Sequence, residues 1–457
     1  MRSGRWIQTA ALALLCCLTL AAPGAAQRKP YLDASTRRAV TKVAEQWWQA
    51  RPATRFDEWD RAELQTILTA ARAVQLESGK LEPTIEAIWK AAKKNAPRHG
   101  GKKGKATIET PYGEAWFYVD GAGKDKGLII GLHGGGVDAG SADSPRGTWR
   151  LKDCMGMYPQ GIRLVHDTWN TVHGERFVLT MIDIAKVQYN VDPDRVYLGG
   201  FSMGGTGSWF FSGRHPDLFA ATMPFAGVLM AEPRSQVASK EEVVRVQHGL
   251  LPNVRNLAMH YTIGLEDKNT MPGTYLFVWD RIQELRAADQ GGYQDIFFES
   301  IPKLAHSFPP GEPKRAFASV SQKTRNAFPE TLVWEYVTDP YPLPIDEDQT
   351  TRIAKNHFYW LHDASPVDRQ KIRATRDGNL ITIQTEGRPG GVKGLTVLLN
   401  EGMIDPEQDT VILHGDQEIY RGRPAPDLGV VFETLDWKLD RTMVFDRKVT
   451  LGASADG

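Results

Sequence analysis

The chain has 457 residues, with 55 Lys+Arg against 55 Asp+Glu, so its formal net charge is zero. At roughly 150 residues per domain, this length carries two or three domains and ample chain for a large core. The charge balance gives no overall pull toward nucleic acid or an anionic membrane, and three cysteines cannot staple so long a chain, which excludes a disulfide scaffold.

Arg2 and Arg5 precede an apolar run over residues 10–22, closed by Pro23-Gly24-Ala25-Ala26-Gln27. A basic start, an apolar stretch and small residues at the break read as a secretory signal peptide over 1–26, cleaved near Ala26. The protein is therefore expected to be secreted or periplasmic. The run is shorter than the about 20 apolar residues a membrane helix needs, so no stable membrane span is expected. Leu-Leu, not small residues, precedes Cys16-Cys17, which argues against a lipoprotein processing site. Cleavage leaves Cys154 as the single thiol, with no internal disulfide, so stability has to come from packing.

Residues 27–105 read as a helical extension. Ala39, Val43, Trp47 and Ala50 recur at spacings of three and four, as do Leu64, Ile67, Leu68, Ala71 and Val74. A third helical segment over 85–92 follows Pro83, which suits a first turn. These helices are expected to cap or brace the strand-rich remainder of the chain. The basic, glycine-rich stretch 98–105 reads as an exposed linker or turn, because no aromatics interleave its charges as a nucleic-acid surface requires.

Residues 106–338 alternate strands with helices. Segments 107–110 and 114–119 flank Pro111-Tyr112-Gly113 as a hairpin. Strands are predicted at 127–132, 195–200, 220–228, 257–264 and 295–301, with helices over 175–189 and 275–288. Short apolar strands separated by helices predict an α/β fold, a mainly parallel sheet covered by helices on both faces. A Pro-rich connector is expected over 339–364. Alternating segments at 372–374, 380–384, 395–399 and 410–413 then read as antiparallel strands of a small β-rich domain over 365–457.

The chemistry centres on Gly200-Phe201-Ser202-Met203-Gly204. This Gly-x-Ser-x-Gly closes a strand and opens a helix, so the serine sits on a tight turn that lifts its hydroxyl above the sheet edge. The helix N-terminus there favours developing negative charge. Upstream, His133-Gly134-Gly135-Gly136 comes after a strand, and its glycines let backbone N–H groups approach a reacting carbonyl. With the Met203 N–H they can form an oxyanion hole. His133 precedes the serine and reads as a structural residue. A serine hydroxyl needs a base, and the base an orienting acid, in the order Ser, Asp or Glu, His for this architecture. Asp267 lies just past the strand 257–264, where a strand-end carboxylate belongs, with Glu266 its adjacent rival; His306 lies in the loop after 295–301. His357 and His362 come later and rank lower. Trp149, Trp169 and Trp209 lie near the site in sequence, and Trp169, Trp209 and His133 are candidate pocket residues.

These segments resemble the α/β-hydrolase superfamily, in the flavour of secreted bacterial esterases of the polyhydroxybutyrate depolymerase, feruloyl esterase and prolyl-oligopeptidase-like group. The resemblance covers about 106–313 and rests on Leu132-His-Gly-Gly-Gly136, residues 191–205, Gly264-Leu-Glu-Asp267 and Ala305-His306. It implies the α/β-hydrolase fold with an eight-stranded sheet, a Ser202–His306–Asp267 triad, and Met203 and Gly135 as oxyanion donors. The helical extension and β-rich tail depart from a minimal hydrolase. The expected activity is serine hydrolysis of a small-molecule or polymer ester, without cofactor. The alternatives are a serine peptidase of the prolyl-oligopeptidase-like type, or an inactive polymer-binding or scaffold protein. No metal is expected: His-Glu-x-x-His is absent, and the acidic turns 192–194 and 346–348 lack the glycine and final glutamate of a calcium loop.

Overall fold

The structure, a computed structural model, describes residues 31–100, 103–121, 123, 126–135, 140–162, 168–227, 251–270, 272–338 and 354–452. The signal-peptide segment, Gly136 and most of the Pro-rich connector lie outside the described residues.

The described residues begin with three helices, α1 (Ala34–Ala50), α2 (Arg61–Arg72) and α3 (Leu81–Asn95). Carboxylates supply the N-caps of the first two. Asp33 Oδ1 accepts from the Ser35 and Thr36 N–H groups, and Asp60 Oδ1 from those of Ala62 and Glu63, satisfying donors that have no intrahelical acceptor. Pro83 falls in the first turn of α3, where its missing N–H costs nothing. The buried stripes, with Val43, Trp47, Ile67, Leu68, Ala71 and Ile88, meet one another and a helix from the C-terminal part of the chain.

The central sheet contains β1 (Gly104–Thr110), β2 (Gly113–Asp120), β3 (Gly127–Leu132), β4 (Cys154–Pro159), β5 (Val196–Phe201), β6 (Ala221–Phe225), β7 (Ala258–Gly264) and β8 (Ile296–Ile301). Its order is β1-β2-β4-β3-β5-β6-β7-β8. β1 with β2 and β2 with β4 pair antiparallel, and the other neighbours pair parallel. Short α4 (Asp143–Thr148), then α5 (Val172–Gln188), α6 (Met203–Arg214), α7 (Pro272–Ala288) and α8 (Lys314–Val320) connect the strands. Every residue of β3 and β7 is buried, as continuous apolar runs require when helices cover both faces. The sequence pattern predicts a loop where β4 lies. Cys-Met-Gly-Met-Tyr-Pro has no β-branched residue to signal a strand, yet all six residues are buried between β2 and β3.

The C-terminal part holds two more sheets. One is β10 (His357–Phe358), β11 (Leu361–Asp363), β14 (Leu395–Leu399) and β17 (Arg447–Thr450); the other orders β16 (Gln417–Gly422), β15 (Thr410–His414), β13 (Leu380–Glu386), β12 (Lys371–Asp377) and β9 (Thr331–Glu335). Three expectations change here. β9 falls inside the 106–338 segment, but Leu332 and Trp334 pair with Ala374 and Ile372 of β12 and share their core. The connector span 339–364 contains β10 and β11, which belong to a sheet. The strands are not all antiparallel, since β13 pairs parallel with β15. The tail also carries α9 (Leu428–Lys438), whose Leu428, Val431, Phe432 and Leu435 bury against α1–α3. The extension therefore braces the tail: Trp59 Nε1–H donates to Asp436 at 2.8 Å and Trp47 lies 5.6 Å from Phe432. No helix among the described residues is long and apolar enough to cross a membrane.

A buried ion cluster joins the central sheet to the tail. Asp217, wholly buried between α6 and β6, holds Lys355 at 3.0 Å and Lys438 of α9 at 2.6 Å. Burial alone would raise the Asp217 pKa, but the two ammonium groups hold it well below the carboxylate range. Replacing it strands two buried cations, so Asp217→Asn should lose about 3–5 kcal/mol of stability. A urea titration checks this against exposed Asp416→Asn, expected within about 0.5 kcal/mol of the parent.

Candidate active site

At the end of β5 the backbone turns into α6 through Ser202, whose φ of 58° and ψ of −121° lie outside the regions most side chains adopt. Such a residue costs of order 1–3 kcal/mol and persists only where its surroundings over-determine it. Here the Ser202 N–H donates to the Phe225 carbonyl at 2.9 Å, extending the β5–β6 ladder by one residue, and its carbonyl accepts from Thr206 in the first turn of α6. The flanking glycines allow the crossing. A Cβ on Gly200 would overlap the Gly204 backbone, and one on Gly204 would overlap the Leu132 carbonyl at the end of β3.

Asp267 and His306 arrive from the ends of two further strands, β7 and β8. Asp267 sits just past β7 with its side chain fully out of solvent. Its Oδ1 accepts from the Asn269 N–H at 2.8 Å, and its Oδ2 meets His306 Nδ1 at 2.8 Å. A carboxylate only accepts, so Nδ1 carries the proton and Nε2 presents a lone pair. That lone pair lies 2.8 Å from Ser202 Oγ and accepts its proton. Glu266, the rival acid, is exposed, and its N–H is bonded to the Leu304 carbonyl. Gly264 brings the two loops together, because a Cβ there would overlap that same Leu304 carbonyl. Sequence reasoning misses the Gly264 contact and the Asn269 N–H; the glycine's place at a strand end is the available signal. It misses Phe201 and Phe308 too. Their rings lie 5.2 Å apart, and Phe201 is 4.9 Å from the His306 ring, walling one side of the imidazole.

The two expected N–H donors lie on segments that flank Ser202. Met203 opens α6, so its N–H has no carbonyl four residues back to accept it. Gly134 packs onto the turn, where a Cβ would come within 2.9 Å of the Phe201 carbonyl and 3.3 Å of Ser202 Cβ, and Gly135 comes next at φ 107°.

The pocket expectations need correction. His133 is 1% exposed and braces the glycine loop: Nδ1 lies 2.9 Å from the Gly134 carbonyl, Nε2 accepts from Gly161, and burial pushes its pKa below the ordinary histidine range. Trp169 is fully buried, packs edge-on against His133 and donates to its carbonyl at 2.9 Å. Trp209 and Trp149 are likewise core residues. Glycines leave room for two of these rings: a Cβ on Gly207 would overlap Trp169, and one on Gly199 would overlap Trp149. The indoles therefore fill the interior and do not face an opening. His357 and His362 both stack on Trp437 in the tail. A cavity lined by Arg55, Arg176, Lys355 and Trp437 lies at the junction with the tail and contains none of Ser202, Asp267 and His306.

This strand order, with the Ser turn after β5, the acid after β7 and the histidine after β8, is the α/β-hydrolase fold. No protein-family model matches the chain. A stretch of 106 residues is 34% identical to the bifunctional acetylxylan esterase/xylanase of Neocallimastix patriciarum, spanning 22% of this chain and only 16% of that protein. Among solved structures the chain is similar to a thermophilic esterase of Thermogutta terrifontis with propionate bound, at TM-score 0.36 and 14% identity over 48% of this chain and 91% of that one. It is also similar to a fluorophosphonate-binding serine hydrolase of Staphylococcus aureus, at TM-score 0.35 and 14% identity over 49% and 98% of the two chains. At such scores the likeness carries no weight beside the strand order and the turn.

The crossing makes a direct prediction. Gly204→Ala should destabilise by about 1–3 kcal/mol or more, since backbone must move to admit the methyl group. A thermal midpoint that stays at the parent's value would show that the crossing has room for a side chain.

Proposed function

We propose that the protein is an exported serine hydrolase that cleaves carboxylic esters. The observation that carries this reading is the unbroken chain of two 2.8 Å hydrogen bonds from Ser202 through His306 to buried Asp267. His306 Nε2 takes the Ser202 proton as Oγ attacks the ester carbonyl, and the displaced electron pair becomes an oxyanion held by the Met203 and Gly135 N–H groups. His306 then gives its proton to the leaving alcohol. Water, deprotonated by the same nitrogen, releases the acid from the acyl-enzyme. Asp267 holds the imidazole in the Nδ1–H tautomer and stabilises its charge. Each oxyanion donor is worth about 2.7–4 kcal/mol of barrier in such sites.

The local identity to a protein whose name includes acetylxylan esterase supports an ester substrate, whether small or polymeric, over a peptide. Export rests on the basic, then apolar, then small-residue pattern of 1–26.

A fluorophosphonate probe should label the parent and not Ser202→Ala. Failure to label the parent would favour the inactive scaffold reading, and equal labelling of both would move the nucleophile away from Ser202. The parent should turn over p-nitrophenyl acyl esters, and turnover of aminoacyl anilides alone would make it a peptidase. Asp267→Asn should lower kcat by on the order of 10⁴, whereas Glu266→Gln should stay near the parent rate. The reverse order would assign the acid to Glu266.

A further inference from the structure

The segment carrying His306 is bracketed by two glutamates, Glu299 on β8 and Glu312 just ahead of α8. Together with His260 of β7 they converge, one ligand-type atom from each lying within 4.8 Å of the others. His260 is 8% exposed. Ser319 settles its tautomer: the Ser319 hydroxyl donates to the Ala316 carbonyl at 2.6 Å, so its oxygen accepts from His260 Nδ1–H at 2.9 Å. Nε2 is left with a bare lone pair, buried and without a hydrogen-bond partner, 3.7 Å from Glu299 Oε2.

Glu299 Oε2 faces that lone pair, so a cation seated between the two would have a donor on each side. Arg315 neutralises the two acids, with Nη2 2.7 Å from Glu299 and Nε 2.5 Å from Glu312, yet Nε2 stays unpartnered. The Arg315 side chain is 52% exposed, so it can swing into water when another cation takes its place beside the two acids. Glu312 remains anchored without it, since Oε2 accepts from the Ala316 N–H at 2.9 Å.

We propose that His260, Glu299 and Glu312 form a site for a divalent transition cation of the zinc class, entered by displacing Arg315. One imidazole nitrogen and two carboxylate oxygens make a borderline donor set that suits zinc better than calcium, which prefers six or more oxygens. Such ligands bind at about 2.0–2.2 Å, so the donors close in by side-chain rotation. The bound ion ties β7, β8 and the approach to α8 together and clasps both ends of the His306 loop. This site stands independently of what Ser202 hydrolyses.

The test uses the full chain stripped with EDTA and titrated with Co²⁺, followed by its visible absorption and by displacement with Zn²⁺. One equivalent should bind in the parent, His260→Ala should abolish it, and Glu299→Gln should weaken it at least tenfold. Arg315→Ala should bind as tightly as the parent or more so. Zinc should also raise the thermal midpoint of the parent but not of His260→Ala. Should His260→Ala fail to fold by circular dichroism, Glu299→Gln, on a partly exposed residue, decides. No saturable binding in the parent, equal binding in the folded variants, or displacement by calcium as readily as by zinc would overturn the site.

Discussion

The close backbone crossing at Ser202 is the constraint on which the site depends. β5 ends against the first turn of α6, and that turn rests on the end of β3, with no room for a methyl group at Gly200 or Gly204. Contact at this distance holds Ser202 at a positive φ, and the same contact brings the Gly134–Gly135 loop against its Cβ. Backbone atoms, which lack rotamer freedom, therefore set the position of the hydroxyl and of the N–H groups beside it. Pre-set dipoles of this kind need no reorganisation when charge develops, which is where electrostatic catalysis gains most.

The histidine and acid lie far apart in sequence but meet closely in space. Gly264 allows the loop at 304–305 to lie against the end of β7, so Asp267 and His306 meet although they come after different strands. Full burial of the acid and a second bond from the Asn269 N–H leave one oxygen to aim the imidazole. The three N-terminal helices bury their stripes on α9, and Asp217 with its two lysines links α9 and Lys355 to the turn after α6. Extension and tail thus act as one brace on the hydrolase sheet.

Most of the central architecture is legible in the sequence because its elements are strongly periodic or carry turn chemistry. The strands β3, β5 and β7 are short, largely apolar runs, the hairpin has its Pro-Tyr-Gly, and Gly-x-Ser-x-Gly needs a strand before it and a helix after it. β4 is hidden because Met and Gly have no strand preference and only burial on both faces makes them one. α9 is hidden because Leu-Gly-Val-Val-Phe buries nearly all round and shows no helical stripe. The tryptophans mislead for a related reason: nearness in sequence to Ser202 says nothing about which side of the sheet a ring faces. His260, Glu299 and Glu312 carry no spacing motif, since each comes from a different part of the fold.

By itself the sequence determined the alternation of strands and helices, the serine on the strand-to-helix turn and the chain order of Ser202, Asp267 and His306. Those are local properties, written in periodicity and in glycines beside a serine. Only the tertiary structure decided that Asp267 and not Glu266 faces His306, that His133, Trp169 and Trp209 pack the interior, and that β9 belongs to the tail. Each of these depends on which faces meet, and a side chain's partners across the fold are set by packing that no stretch of neighbouring residues records.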